Sequence, residues 1–103
     1  NGNRVLNNPG YVERSTSPSQ ELNPAYGYLW WLNGQQRRLT FNREEIEGQY
    51  IRNAPPDLYA AEGALGRKCY VVPSMKIVVT RLGDQPERNF NEKFWRFFMA
   101  ATP

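Results

Sequence analysis

The chain has 103 residues and a formal net charge of +3 at pH 7, from 13 Lys and Arg against 10 Asp and Glu. This length leaves room for one small domain with a single core. Because the chain has no His and one Cys, its composition excludes a His-based catalytic triad, a His-ligated metal site and an internal disulfide. The aromatic content of 14% requires a packed interior and argues against a disordered segment.

Charge and hydropathy patterning argue against two further classes of function, membrane-spanning and nucleic-acid-binding proteins. No apolar run approaches the roughly 20 residues that a bilayer span needs, and no signal-peptide pattern opens the chain, so we expect no membrane span or leader. Adjacent cations occur only at Arg37 with Arg38 and at Arg67 with Lys68, which favours solvated surface charge over nucleic-acid binding. The single Cys69 stands in an apolar stretch, which predicts a buried small hydrophobic residue and not a nucleophile.

The first third of the chain predicts a short helix and a strand. Asn8 followed by Pro9 is a helix-start signal, because Asn caps free amides and Pro loses no hydrogen bond at the first helical position. A helix over about residues 9–16 is expected. The aromatic run 26–32, closed by Asn33 and Gly34, predicts a strand followed by a turn.

Residues 34–57 are polar and end in two prolines, which predicts a long irregular excursion. The sequence offers two alternative local structures within this segment. Asn42 is placed to cap a turn or two of helix that carries Glu44 and Glu45 near its positive end. Alternatively, Thr40 and Phe41 extend a strand edge.

Three strands and a turn are expected in the next segment. Residues 58–61 and 68–72 form two apolar stretches joined by a junction that contains two glycines, as in adjacent strands. Residues 73–76 begin with Pro and supply a turn, and the β-branched run 77–82 predicts a returning strand. The last two strands therefore form a hairpin.

The C-terminal segment predicts an amphipathic helix. Asn89 with Glu92 three residues on is a variant capping box. The helix face expected to pack on the sheet contains Phe90, Phe94, Phe97, Phe98 and Ala101, which recur at helical spacing. The predicted fold class is α+β, with an antiparallel sheet of about three to four strands covered by the C-terminal helix, and with a short N-terminal helix.

One layer of this predicted fold is missing. The strands at 26–32 and 70–72 carry apolar side chains on both faces, yet the chain offers only one strongly amphipathic helix. Strands that are apolar on both faces are usually covered on both faces. We therefore expect a second copy of the chain, or another part of a larger protein, to cover the sheet.

The order of four motifs resembles the C-terminal part of the serine β-lactamase and penicillin-binding-protein-like superfamily. The motifs are Tyr26-Gly27-Tyr28-Leu29-Trp30-Trp31, Ala61-Glu62-Gly63-Ala64-Leu65-Gly66, Tyr70-Val71-Val72-Pro73-Ser74 and Ile77-Val78-Val79-Thr80-Arg81-Leu82-Gly83. The chain is most similar to class C β-lactamase-related hydrolases and esterases. The resemblance covers nearly the whole chain and implies that residues 1–103 are one segment of a larger β-lactamase-like α/β sandwich.

The resemblance implies a substrate-binding strand without the nucleophile. Ala61, Glu62 and Gly63 stand where the family has its third motif, Lys-Thr-Gly, and the amide of Ala64 takes the place of an oxyanion-hole donor. The family's Ser-x-x-Lys and Tyr-x-Asn motifs are absent from this chain, so no catalytic residue is assigned and the segment alone is expected to be inactive. The parent would hydrolyse ester, amide or peptide bonds through an acyl-enzyme.

The sequence departs from the family pattern at Ala61, where a cationic or imidazole side chain would pair with a substrate carboxylate. This departure favours an esterase, amidase or peptidase over a true β-lactamase. Arg67 is placed to offer a charge, although a solvated strand-edge position fits it as well. Glu62 is expected to be an exposed strand residue and not an acid or base.

The expected partners follow from the same resemblance. They are the rest of the parent hydrolase domain, or a second copy, against the sheet, and a small ester or amide substrate in the full-length protein. No cofactor, metal or nucleic acid is expected. A bacterial periplasmic or secreted parent is compatible with the family, although the segment itself leaves the compartment open. The alternative hypothesis is a stand-alone, non-catalytic binding or dimerisation module.

Overall fold

The computed structural model describes residues 3–40 and 42–103. The helices are α1 (Tyr11–Ser15) and α2 (Phe90–Ala101), and the strands are β1 (Trp31–Leu32), β2 (Arg37–Leu39), β3 (Glu45–Glu47), β4 (Tyr59–Glu62), β5 (Lys68–Val72) and β6 (Ile77–Arg81). Short 3-10 turns at Ala64–Gly66 and Pro73–Met75 separate the last three strands. The element content confirms the predicted α+β class with a short N-terminal and a longer C-terminal helix.

The main sheet is antiparallel and has the strand order β1-β4-β5-β6. Ala60 lies opposite Tyr70, which in turn lies opposite Val79. The β5–β6 hairpin and the glycine-bearing junction between β4 and β5 are therefore confirmed. At the hairpin, Lys76 adopts a left-handed conformation with φ of 56°, which reverses the chain within one turn.

Helix α2 covers one face of this sheet, here called the helix face. Tyr70 and Val72 are 1% and 0% exposed, and both point toward α2. Trp95 of α2 packs in the same core cluster and is 0% exposed. The ring of Trp95 meets that of Tyr70 edge-on at 5.4 Å, and Phe94 stacks on Tyr70 at 5.9 Å. Aromatic pairs in these geometries add to the free energy gained from burial.

The predicted face of α2 is correct at Phe94 and Phe98 but wrong at Phe97 and Ala101, because the buried stripe is rotated toward Trp95. Phe97 was expected to face the sheet but is 64% exposed. The face that packs on the sheet contains Asn91, Phe94, Trp95 and Phe98, at i, i+3, i+4 and i+7. This stripe includes a polar residue, because the Asn91 side chain accepts a hydrogen bond from the Tyr70 hydroxyl. A search for apolar periodicity alone therefore selects the neighbouring face.

The predicted capping box at the start of α2 is also wrong. Asn89 has a φ of 61° and makes no side-chain capping hydrogen bond. The Glu92 carboxylate instead accepts hydrogen bonds from the amides of Arg52, at 2.7 Å, and Asn53, at 3.1 Å. Glu92 thus ties the helix to the excursion that precedes β4, which sequence spacing alone does not reveal.

The aromatic run 26–32 forms a tight reversal and only two residues of strand. Leu29 has a φ of 66°, and the amide of Gly27 donates to the carbonyl of Trp30 at 2.9 Å. Gly27 is required here because a Cβ would lie 2.2 Å from the backbone oxygen of Ser15. The close approach of α1 therefore bends a segment whose composition predicts an extended strand.

Helix α1 is shorter than the predicted helix over residues 9–16. The Asn8 side chain does accept a hydrogen bond from the Gly10 amide, at 3.1 Å, but it does so in a turn that precedes the helix. The carbonyl of Ser15, at the other end of the helix, accepts a hydrogen bond from the Tyr28 amide at 2.9 Å. Helix α1 is thus held at its C-terminal end by the aromatic reversal.

The excursion contains a small hairpin and no helix among its described residues. Strands β2 and β3 pair with Arg37 opposite Glu47 and Leu39 opposite Glu45. The helix predicted after Asn42 is wrong, because Glu45 lies in β3. The alternative involved Thr40 and Phe41; Phe41 lies outside the described residues, and the Thr40 amide donates to the carbonyl of Glu44 at 3.0 Å, continuing the hairpin.

Asn33 anchors the end of the excursion to β1. Its side chain is buried, and its amide nitrogen donates to the carbonyls of Ile51, at 3.0 Å, and Pro55, at 2.9 Å. Its amide oxygen accepts from the Ile51 amide at 2.7 Å. Asn33 was predicted only as a turn former, yet its side chain satisfies several buried backbone groups that a loop would otherwise leave unpaired.

The opposite face of the main sheet, here called the outer face, is covered unevenly. It carries Leu32, Tyr59, Ala61, Cys69, Val71, Val78 and Thr80. Leu32 is 3% exposed, but Val78 at the far edge is 63% exposed. Cys69, predicted to be buried, is only half-buried because it points to this face.

The tryptophans expected to lack cover are half-buried by tyrosines of the same chain. Trp30 meets Tyr59 edge-on at 5.0 Å, and Trp31 stacks on Tyr50 at 5.5 Å. The apolar surface left without cover is therefore the β5–β6 part of the outer face.

The rotation of α2 makes a direct prediction for stability. Trp95→Ala should lower the free energy of unfolding by about 3–5 kcal/mol, because it opens a cavity at the centre of the core. Phe97→Ala, on the same helix, should change it by only about 0.5 kcal/mol. Urea unfolding followed by far-ultraviolet circular dichroism measures both, and equal losses in the two variants would contradict this packing.

Candidate functional site

The four residues assigned by resemblance lie together where β4 ends. Ala61 and Glu62 are the last residues of the strand, Gly63 follows in extended conformation, and Ala64 begins a 3-10 turn. On the other side of β4, β1 pairs only with Tyr59 and Ala60. The edge of β4 from Glu62 onward is therefore unpaired on the β1 side.

The direction of the backbone groups at this edge follows from the sheet register. The Gly63 amide donates to the carbonyl of Arg67 at 2.8 Å, so Gly63 faces β5. Because successive residues of a strand point their backbone groups to opposite neighbours, the backbone groups of Glu62 face away from β5. Ala64 lies beyond the strand, at the start of the 3-10 turn. Within the described chain, the Ala64 amide has no acceptor. The unpaired edge thus offers backbone groups to an extended or carbonyl-containing ligand.

The turn after Ala64 is fixed by contacts with the segment that leads into α2. Gly66 has a φ of 67°, and a Cβ at this position would lie 2.4 Å from Cδ of Pro86. The carbonyl of Gly66 accepts a hydrogen bond from the Arg81 guanidinium at 3.3 Å. These contacts hold the position of the Ala64 amide, which is the preorganisation that an oxyanion donor needs.

Exposed apolar side chains occur in the segments that precede β1 and follow β4. Leu29 is 80% exposed and Tyr28 49% exposed in the reversal before β1, and Leu65 is 47% exposed in the turn after β4. An exposed apolar group beside unpaired backbone is typical of a surface that contacts a ligand or partner. The sequence analysis did not assign these three residues to the site.

The Glu62 side chain belongs to the helix face and not to the unpaired edge. Its carboxylate lies 2.8 Å from the Lys68 ammonium and accepts a hydrogen bond from the Asn91 side chain at 3.1 Å. Desolvation by burial raises the pKa of Glu62, but hydrogen bonding from Lys68, Tyr50 and Asn91 and the Lys68 charge outweigh it, so the net pKa is lowered. Glu62 is therefore held as an ionised anchor.

Two tyrosines complete this polar cluster. Asn91 donates to the Tyr50 hydroxyl at 3.3 Å and accepts from the Tyr70 hydroxyl. Burial, followed by the negative charge of Glu62, raises the pKa of both phenols above the ordinary value of 10.0. Both phenols therefore stay neutral near pH 7 and stabilise the junction of the sheet, the excursion and α2. The signal that sequence analysis missed is Asn91, four residues before Trp95.

The remaining candidate side chains form no catalytic group in the described residues. Arg67 is exposed in the turn and Ala61 points to the outer face. The hydroxyls of Ser15, Ser17 and Ser19 donate to backbone carbonyls, and that of Ser74 donates to Asp57 at 2.9 Å. No group of metal-ligating side chains occurs across residues 3–40 and 42–103.

The ion pair of Glu62 makes a prediction about acid unfolding. A carboxyl whose pKa is lower in the folded state contributes stability above its ordinary value of 4.5 and loses that contribution as the pH falls through the folded pKa. The free energy of unfolding of Glu62→Gln should therefore fall less steeply than that of the wild type below about pH 4.5. Urea unfolding at a series of pH values measures the slope.

Glu44→Gln is the matched control for this series, since it removes an exposed carboxylate from the β2–β3 hairpin. It should leave the acid slope of the wild type unchanged. An identical slope in Glu62→Gln and the wild type would contradict the assigned role of Glu62.

Comparison of the chain with models of known families, with curated proteins and with solved structures finds no match. Among the described residues, no helix is both long and apolar enough to cross a membrane. The comparisons assign no family to the chain.

Proposed function

We propose that this chain is the C-terminal segment of a serine hydrolase related to β-lactamases and penicillin-binding proteins, and that it supplies the substrate-binding strand and one oxyanion donor. The observation that carries the proposal is the unpaired edge of β4, which leads into Ala64, whose amide has no acceptor among the described residues. The rest of the hydrolase domain would supply the nucleophile and cover the outer face.

The proposed chemistry is acyl transfer through a serine outside these residues. That serine attacks the carbonyl carbon of an ester or amide, the alcohol or amine leaves with a proton, and water then hydrolyses the acyl-enzyme. Negative charge develops on the carbonyl oxygen in each step. A preorganised backbone amide aimed at this charge contributes several kcal/mol to transition-state stabilisation.

The side chains at the end of β4 favour a substrate that has no charged group beside the scissile bond. Ala61 carries no charge, and Glu62 is turned to the helix face by Lys68 and Asn91. No cation of the strand itself is therefore available to pair with a substrate carboxylate beside the scissile bond. Neutral esters and amides fit this arrangement better than β-lactams.

The proposal predicts that one backbone hydrogen controls the rate. In the natural protein that contains this chain, Ala64→Pro should lower kcat for p-nitrophenyl ester hydrolysis by about 10²–10³-fold, as expected for the loss of one oxyanion donor. Proline removes the N–H yet is tolerated at the first position of a helical turn, which is the position of Ala64.

Ala64→Gly is the matched control, because it changes the same side chain but retains the amide hydrogen. It should keep kcat close to that of the wild type, and circular dichroism should show the native fold in both variants. Full activity of a folded Ala64→Pro variant would overturn the proposed role of this strand.

A second candidate function, a non-catalytic dimerisation module, is favoured by the exposed β6 end of the outer face. Val78 is 63% exposed there beside half-buried Val71. A second copy placed against this face would bury apolar surface of the kind found in dimer interfaces.

Sedimentation equilibrium of the chain separates the two functions. A dimer that Val78→Glu dissociates, while Val5→Glu at a 90% exposed position does not, would establish the module. The hydrolase proposal predicts that Val78→Glu leaves the oligomeric state of the natural protein unchanged, because there the rest of the domain, and not a second copy, covers this face.

A further inference from the structure

We propose that the cleft between the β2–β3 hairpin and α2 binds an organic phosphate. This site, here called the arginine cleft, lies on the helix side of the main sheet and is independent of the β4 edge. It has a volume of about 470 Å³ and is lined by Arg38, Arg52, Lys93 and Arg96 together with the carboxylate of Glu92 and the ring of Tyr50. The lining therefore contains four cationic residues and one carboxylate.

That carboxylate already accepts three hydrogen bonds from the excursion. Both oxygens of Glu92 accept hydrogen bonds from the backbone amides of Arg52 and Asn53, and a third comes from the Asn53 side chain at 2.8 Å. Lys93 forms an ion pair at 2.8 Å with Glu87. Glu87 does not line the cleft. The three arginines thus lack a carboxylate partner in the part of the chain that the structure describes.

Arg38 is the residue that points most clearly to a ligand. Its Nε is buried and has no hydrogen-bond partner among the described residues. Its guanidinium lies 5.8 Å from the centre of the Tyr50 ring, a contact that orients the planar group. A buried, unpaired donor costs free energy. Because Nε itself is inaccessible, an anion in the cleft would be bound by the Nη groups of the same guanidinium, which make no hydrogen bond within the described residues.

The chemistry of the lining selects the class of anion. Guanidinium groups present paired donors that match the oxygens of phosphate or carboxylate. Three arginines against one carboxylate leave an excess of about two positive charges, which a phosphomonoester dianion balances and a single carboxylate does not. Ile46 and the Tyr50 ring in the same lining offer an apolar surface to the organic part of the ligand.

The test is a titration of the folded chain with phenyl phosphate, followed by amide chemical shifts. We expect saturable shifts at Gln49, Asn53 and Lys93, and weaker binding at roughly physiological salt than at low ionic strength. Inorganic phosphate in a parallel titration should bind more weakly, because it has no apolar part. Equal affinity would assign the site to free phosphate, which contradicts the organic ligand.

Point variants distinguish binding in the arginine cleft from nonspecific attraction of the anion to the net positive charge of the chain. Arg38→Gln and Arg96→Gln should each weaken phenyl phosphate binding by about tenfold or more, and Arg38→Lys should restore part of it. Arg4→Gln lowers the net charge equally at an exposed position outside the cleft and should bind as the wild type does. No saturable binding, or equal weakening by Arg4→Gln, would overturn the proposal.

Thermal unfolding in the absence of ligand shows whether each variant is folded before it is titrated. If Arg38→Gln does not fold, Arg96→Gln decides the outcome, because its exposed side chain packs beside the exposed Phe97 ring and not in the core. Unchanged affinity in a folded Arg96→Gln variant would then contradict the cleft as the binding site.

Discussion

The contact between Trp95 and Tyr70 determines which side of the sheet is core. Both residues are almost fully buried, and their rings meet edge-on at 5.4 Å. Because side chains alternate along β5, burying Tyr70 and Val72 places Cys69 and Val71 on the outer face. The position of the open side of the molecule follows from this choice of face.

The same contact positions the junction where the sheet, the excursion and α2 meet. Asn91, one turn before Trp95, bonds to the Tyr70 and Tyr50 hydroxyls and to Glu62. Glu62 is thereby held on the helix face while its backbone faces the unpaired edge of β4. The chain thus separates a side chain that stabilises the fold from backbone groups that are free to bind.

The sequence predicted an element correctly where a single local rule determines its structure. The β-branched run 77–82 and the turn begun by Pro73 predicted the β5–β6 hairpin, and the phenylalanines predicted helix α2. Prediction failed where a tertiary contact overrides the local preference. Gly27 packs on α1 and bends an aromatic run that reads as a strand, and Glu92 bonds to the excursion and not to its own helix.

The candidate site could be predicted only in part for a similar reason. The resemblance assigned Ala61, Glu62, Gly63 and Ala64 to a binding strand; in the structure Ala61 and Glu62 end β4, while Gly63 and Ala64 follow it and enter a 3-10 turn. The unpaired edge depends on β1 beginning only at Trp31, which composition does not reveal. The arginine cleft joins Arg38 to Arg96 across the fold, so neither spacing nor charge runs could have predicted it.

We propose that the β4 edge of this chain binds the substrate, while the nucleophile that attacks it lies outside these 103 residues. Labelling with a fluorophosphonate probe, followed by peptide mapping, tests this claim most directly. The account predicts no adduct on the chain alone and, in the natural protein that contains it, one adduct on a serine of a Ser-x-x-Lys motif outside this segment. An adduct on any serine of this chain, or none on the natural protein, would contradict the account.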